Sequence, residues 1–136
     1  MNVIVDLEHT ISNAWHRING SDDRGIKFQK DFVNDRPNNN IIQFMLQLEM
    51  TGSYVIILSA KKYKHEDDVI NWLKLHKVVY SQLIMKEDNS LEHTDTFKER
   101  IIKEHSKRID FALDDVGRNC AMFYKNNIPC LRIEQK

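Results

Sequence analysis

Val3-Ile4-Val5-Asp6-Leu7-Glu8-His9-Thr10 is an apolar run that ends on acids close to the N-terminus. A second run, Ile109-Asp110-Phe111-Ala112-Leu113-Asp114-Asp115, ends on two acids late in the chain. Short apolar runs rich in β-branched residues read as buried strands of a parallel sheet. Ligand sites in such sheets lie beyond the carboxyl ends of the strands. With both strands central, Asp6, Glu8, Asp114 and Asp115 crowd at one edge. That many carboxylates cannot stay ionised side by side without a cation. The donors are all oxygen, which suits Mg²⁺, a hard ion fitted to phosphate chemistry.

The rest of the chain supplies the sheet these strands need. Its 136 residues are enough for one domain with a real core. Residues 2–6 read as the first strand. Residues 7–39 are polar and carry Gly20, Gly25, Pro37 and the Asn38-Asn39-Asn40 run. Within them, 11–39 reads as a small cap or lid inserted after the first strand, with a short helix around Phe28 to Val33. Asn39 or Asn40 is the expected cap of a helix over 41–51, with Gly52 as its stop. Strand 54–58 ends at Ser59. A helix over 66–76, a strand over 82–85 and a helix through about 106 follow, the last started by a Thr96–Glu99 capping box. Strand 109–113, helix 117–126 and strand 129–133 complete the pattern. The expected architecture is a three-layer α/β fold, a Rossmann-like parallel sheet with helices on both faces.

Bulk properties exclude several roles. Lys plus Arg and Asp plus Glu both number 20, so the formal charge is zero. No global positive field draws the chain to nucleic acid or membrane, although a local basic patch is compatible with neutrality. The N-terminus enters a strand at once, so no signal peptide is expected. No apolar stretch approaches the ~20 residues needed to span a bilayer. Cys120 and Cys130 lack metal-ligand spacing and read as buried thiols in a reduced, cytoplasmic compartment. His9, His16, His76, His93 and His105 also lack the spacing of a zinc site.

Asp6, Ser59, Lys98 and Asp114-Asp115 fall at strand ends or open the helix before one. They offer an anionic nucleophile, a hydroxyl donor, a fixed cation and metal-binding carboxylates, the parts that phosphoryl transfer requires. In this order they resemble the motifs of the haloacid dehalogenase (HAD) superfamily of phosphatases. Val3-Ile4-Val5-Asp6-Leu7-Glu8-His9-Thr10 is similar to its hhhhDxDxT motif, with Glu in place of the second Asp. Leu58-Ser59, Lys98 and Leu113-Asp114-Asp115 are similar to the other three. Within the superfamily the chain looks most like the phosphatase domain of phage-type polynucleotide kinase–phosphatase and its small stand-alone relatives. The supporting stretches are Lys98-Glu99-x-Ile101, Lys61 two positions after Ser59, and His16-Arg17, Phe32 and Asp35-x-Pro37 in the insert.

The resemblance implies a Mg²⁺-dependent phosphomonoesterase acting on a nucleotide or a nucleic-acid 3′-phosphate, with a kinase or repair partner and no membrane. Asp6 would be the nucleophile and Glu8 the acid/base, with the Glu8 carbonyl on the metal. Ser59 and the Ala60 N–H would hold phosphate oxygens, and Lys98 would pair with Asp6. Asp115 would ligate the metal, with Asp114 ligating or behind it, and Asn119 would act through water. Lys61, His16 and Arg17 would contact substrate. Glu8 carries one methylene more than the Asp of the motif, a displacement of roughly 1.5 Å. That departure leaves a second reading, a catalytically impaired phosphate- or nucleotide-binding module. A receiver-like signalling domain fits poorly, because its acidic pair comes early in the chain. Lys62, Lys64 and His65 read as a solvated turn rather than a phosphate-steering rim at the pocket mouth, and Trp15 and Phe28 as packing residues of the lid rather than stacking partners of a base.

Overall fold

The computed structural model describes residues 1–18 and 26–135. In chain order the elements are β1 (Asn2–Val5), β2 (Ser12–Asn13), α1 (Trp15–Ile18), α2 (Ile26–Lys30), β3 (Arg36–Pro37), α3 (Asn39–Met50) and β4 (Tyr54–Lys62). They continue with α4 (Glu66–Leu75), β5 (Gln82–Lys86), α5 (Thr94–Glu104), β6 (Phe111–Asp114), α6 (Gly117–Lys125) and β7 (Cys130–Arg132). Short 3₁₀ turns, Asp31–Asn34 and Tyr63–His65, precede β3 and α4.

Five strands form a parallel sheet in the order β5-β4-β1-β6-β7, with β1 at its centre. The chain builds outward from β1 through β4 to β5, then crosses to β6 and β7 on the other side. Strand order therefore reverses at β1, where sheets of this type open a crevice for ligands. Alternation along the strands feeds two cores. Val3, Val5, Val55 and Ile57 face α3 and α4, where they meet Met45, Leu48, Val69 and Trp72. Ile4, Ile56, Leu58 and Ala112 face α5 and α6, where they meet Phe97, Cys120 and Phe123. This is the three-layer arrangement expected from the strand and helix pattern, and Trp72 is core as expected. Cys120 and Cys130 are free buried thiols with their sulfurs 3.2 Å apart. No helix among the described residues is long and apolar enough to cross a membrane.

Four of the departures from the expected pattern have a tertiary reason. Helix α3 begins at Asn39 with Asn38 as its N-cap, and no side chain caps it. The Asn38 amide instead donates to the Thr10 carbonyl at 3.1 Å, tying the helix to the loop after β1. At its other end Gly52 adopts φ 87, the left-handed conformation that stops a helix and favours glycine. Helix α5 starts at Thr94 with His93 as N-cap, so the Thr96–Glu99 capping box does not form. Glu99 accepts from the Asn126 amide at 2.7 Å instead, linking α5 to the end of α6.

Strand β4 runs past Ser59 to Lys62. Its register against β5 shifts between Ser59, opposite Met85, and Lys62, opposite Lys86. The intervening bulge carries Ala60 and Lys61, and bulges re-aim side chains next to functional sites. Finally, β2 and β3 pair as a small antiparallel ribbon, Ser12 opposite Pro37 and Asn13 opposite Arg36. It has no signature in the polar segment 7–39, because two-residue strands are too short for any periodicity. The expected short helix is present as α2 and the 3₁₀ turn after it, while Gly20 and Gly25 lie outside the described residues.

Candidate active site

The carboxyl ends of β1 and β6 bring the two acidic runs together. The Asp6 N–H donates to the Leu113 carbonyl at 2.9 Å, which fixes Asp6 beside the end of β6. From α5 the Lys98 side chain, fully buried, reaches between the strands. Its ammonium donates to Asp6 Oδ1 at 2.7 Å and to Asp114 Oδ2 at 2.6 Å. Asn119 Nδ2 lies 3.2 Å from each Asp114 oxygen, and the Val116 N–H donates to Asp114 Oδ1 at 3.0 Å. Both oxygens of Asp114 are therefore engaged by protein donors. The Thr10 hydroxyl lies 3.3 Å from Asp6 Oδ2 and 3.5 Å from Asp115 Oδ1.

Asp6, Asp114 and Asp115 each offer an oxygen, all within 4.8 Å of one another. Burial, then the Asp114 carboxylate, pushes the Asp6 carboxyl well above the usual carboxylate range, against the pull of Lys98. Burial raises Asp115 as well, with Asp114 adding to it. Burial alone would lower the Lys98 ammonium, but Asp6 and Asp114 outweigh it and hold it above the ordinary lysine range. One lysine thus does not neutralise the cluster. An all-oxygen donor set with surplus negative charge fits a hard divalent cation.

These residues open onto a cavity of about 540 Å³, whose lining includes Asp6, Glu8, Ser59, Ala60, Lys61, Asp115 and Asn119. Ser59, from the strand on the other side of β1, accepts the Lys61 N–H at 3.1 Å and keeps its own hydroxyl hydrogen. Lys61 lines the cavity, but its ammonium donates to the Gln29 carbonyl and to Gln29 Oε1, both at 2.8 Å. It lies 3.9 Å from Glu8 Oε1. Burial lowers the Lys61 ammonium below the ordinary lysine range. Lys61 therefore links the insert to the bulge of β4.

His16 and Arg17, expected at the substrate, are not among the residues lining the cavity. Arg17 acts behind it. Its side chain is 1% exposed and grips Asp35 through Nε at 2.8 Å and Nη2 at 2.7 Å. Nη2 also donates to Glu8 Oε2 at 2.7 Å, and Nη1 to the Phe28 carbonyl at 3.1 Å. Asp35 further accepts from Ser12 at 2.9 Å and contacts His16 Nε2 at 2.7 Å, and its carbonyl accepts the Trp72 indole N–H at 3.0 Å. The carboxyl of Glu8 is thus anchored through Arg17 to a buried Asp in the insert.

Asp35 has no signature in the sequence beyond the Asp-x-Pro spacing, and Gln29 and the Thr10 hydroxyl are not among the expected site residues. Thr10 stood inside the quoted motif. The other two contacts join positions far apart in the chain, and no local pattern marks them.

The model of one protein family, the phosphatase domain of polynucleotide kinase PNKP in its HAD form, matches residues 1–136. The chain belongs to the PNKP phosphatase-domain family. No curated protein matches it by sequence. Among solved structures, it is similar to chains of the Pnkp1/Rnl/Hen1 complex and of the Pnkp1/Rnl/Hen1 RNA repair complex, at TM-scores of 0.83 and 0.84 and 22% identity in each case. Both likenesses cover 97% of this chain but only 45% and 42% of those chains. The PNKP-type domain thus spans less than half the length of either.

More distant likenesses are to the class C acid phosphatase from Bacillus anthracis and to D,D-heptose 1.7-bisphosphate phosphatase from B. bronchiseptica. The first has a TM-score of 0.63 at 15% identity, covering 87% of this chain and 52% of that one. The second, complexed with magnesium and phosphate, has a TM-score of 0.59 at 10% identity, covering 95% and 78%. The fold is HAD-like, and a PNKP-type domain of this family is a phosphatase domain.

Proposed function

We propose that the chain is a Mg²⁺-dependent phosphomonoesterase working through an aspartyl-phosphate on Asp6. Its substrate is a nucleotide or nucleic-acid 3′-phosphate, and it works alongside a kinase or repair partner. The observation that carries this reading is Lys98 bridging Asp6 and Asp114 beside Asp115 at the floor of an open cavity. The family match and the repair complex named for the Pnkp1 structures support the substrate class and the partner.

In this reading an Asp6 oxygen attacks phosphorus in line with the departing oxygen. The P–O bond to the leaving group breaks, and the leaving oxygen takes its proton from the Glu8 carboxyl. Water then attacks phosphorus of the aspartyl-phosphate and gives its proton to Glu8, which frees phosphate and restores Asp6. Lys98 holds Asp6 in place, while the Ser59 hydroxyl and Ala60 N–H hold phosphate oxygens. Asp6, Asp115 and the Glu8 backbone carbonyl would hold Mg²⁺, with Asp114 behind them fixing Lys98. The ion supplies charge neutralisation at the phosphoryl oxygens. The decisive assay is hydrolysis of an aryl phosphate and a 3′-phosphorylated oligonucleotide with and without Mg²⁺. Folded protein inactive on both overturns the reading.

Glu8 separates this reading from an impaired binding module. Its longer side chain meets Arg17 at 2.7 Å, and that grip favours a positioned acid. Glu8→Asp withdraws the carboxyl by roughly 1.5 Å, and misplacement of that order costs up to ~10²-fold in rate. Lower kcat is therefore expected in Glu8→Asp. A large gain would instead identify an impaired site.

Metal linkage gives a test independent of turnover. Asp6 and Asp115 have raised folded pKa values. Each raised acid contributes stability that is present below its unfolded pKa and is lost as pH rises through its folded pKa. Mg²⁺ binds the ionised forms and offsets that loss. The rise in Tm on adding Mg²⁺ should therefore grow as pH rises beyond the ordinary carboxylate range. A shift independent of pH would exclude these carboxylates as the ligands.

A further inference from the structure

A cavity of about 540 Å³ falls in the size range of pockets that enclose whole small ligands, and the phosphate-handling residues do not use all of its rim. On one side Lys62 and Lys64 line it, at the end of β4 and in the turn that follows. Unlike Lys61, neither ammonium has a hydrogen-bond or ion-pair partner among the described residues. His9 and Ala14 line it as well, while Trp15, next in the chain, stands against His9 outside the lining. The Trp15 ring meets His9 edge-on, with centroids 5.7 Å apart at 71°.

Trp15 is 38% exposed, yet it is held in place. Its indole N–H donates to the Gln135 carbonyl at 3.0 Å, and its backbone N–H donates to Asn13 Oδ1 at 2.9 Å. An exposed ring pinned by its edge offers a stacking face at low entropic cost. His9 sits at φ 64, a left-handed conformation uncommon for a residue with a side chain and one that clusters at ligand sites.

We propose that these rims form a subsite for the strand behind a terminal 3′-phosphate, with Trp15 and His9 stacking the terminal base and Lys62 and Lys64 pairing with the preceding phosphodiester. The inference rests on the 3′-phosphatase reading and deepens it. The occupant is a single-stranded nucleic-acid end. Stacking on a ring face accepts every base, so the subsite reads strand and not sequence. Two local lysines supply the attraction that a neutral chain otherwise lacks.

Binding is tested without turnover, by fluorescence anisotropy of a labelled 3′-phosphorylated oligonucleotide on Asp6→Asn protein across a salt series. Adding Lys62→Ala and Lys64→Ala should weaken binding about tenfold and make the log–log salt slope shallower by about 0.7, the share of the one single-strand phosphate they neutralise. Adding Trp15→Ala should also weaken it about tenfold, with the salt slope kept, and Trp15→Phe should recover most of the loss. With Asp6 restored, kcat/KM on the oligonucleotide should fall about tenfold more than kcat/KM on an aryl phosphate in the same variant.

Equal losses on both substrates, or unchanged affinity and salt slope, overturn the subsite. Wild-type protein that hydrolyses neither substrate sinks the phosphatase reading instead, and the anisotropy series still decides the rim.

Discussion

Asp6→Asn is expected to abolish phosphate-ester hydrolysis, by about 10⁴-fold or more, as removal of a covalent nucleophile does. The same change should raise Tm in the absence of Mg²⁺. Asp6 is buried at 8% exposure beside Asp114 and Asp115, and burial, then those neighbours, raise its pKa. Replacing one carboxylate by a neutral amide relieves the repulsion, while the amide oxygen can still accept from Lys98. Loss of activity with gain of stability distinguishes a functional residue held at a cost from a merely structural one. The pair of measurements is steady-state hydrolysis and a thermal melt in chelator. Retention of more than about 1% activity would remove Asp6 as the nucleophile.

Lys98→Met is expected to be the most damaging single change to stability. The ammonium is fully buried and serves both Asp6 and Asp114. Methionine fills a similar volume, so the loss is electrostatic rather than a cavity. Removing one partner of a buried ion pair costs about 3–5 kcal/mol, because the remaining charge is left uncompensated. For a chain of this size that lowers Tm by roughly 10–15 °C.

The raised pKa of Lys98 fixes the pH range of this effect. A lysine with a raised folded pKa contributes stability that is complete below its unfolded pKa and is lost only as pH rises through the folded value. Wild type should therefore keep the whole contribution across neutral pH. The variant should recover part of its deficit in acid, where Asp6, whose pKa burial raises, can take a proton. A Tm within about 3 °C of wild type at neutral pH would contradict the bridging role. Activity should fall as well, since nothing else donates to Asp6 Oδ1 among the described contacts.

How much of this was legible before any coordinates depends on the range over which each signal acts. The Val3–Val5 and Ala112–Leu113 runs mark buried central strands by composition alone, and each strand carries its terminal acid with it. Asp6, Asp114, Asp115 and Ser59 therefore announce themselves at strand ends. Lys98 is readable only through its spacing from Asp114 in a helix that precedes the strand. The Thr96–Glu99 pattern misled because a local rule met a stronger distant partner, the Asn126 amide. Asn38 likewise gave up capping for the Thr10 carbonyl.

Local chemistry settled the strand and helix types, the parallel sheet and the identity of the acids at its edge, since burial and periodicity are written in neighbouring residues. Chain folding alone decided the strand order that brings Asp6 against Asp114, the anchoring of Glu8 through Arg17 to Asp35, and the diversion of Lys61 to Gln29. These are contacts between buried charged or polar groups distant in sequence. Each partner's environment comes into being only when the layers close, and no run of adjacent residues encodes it.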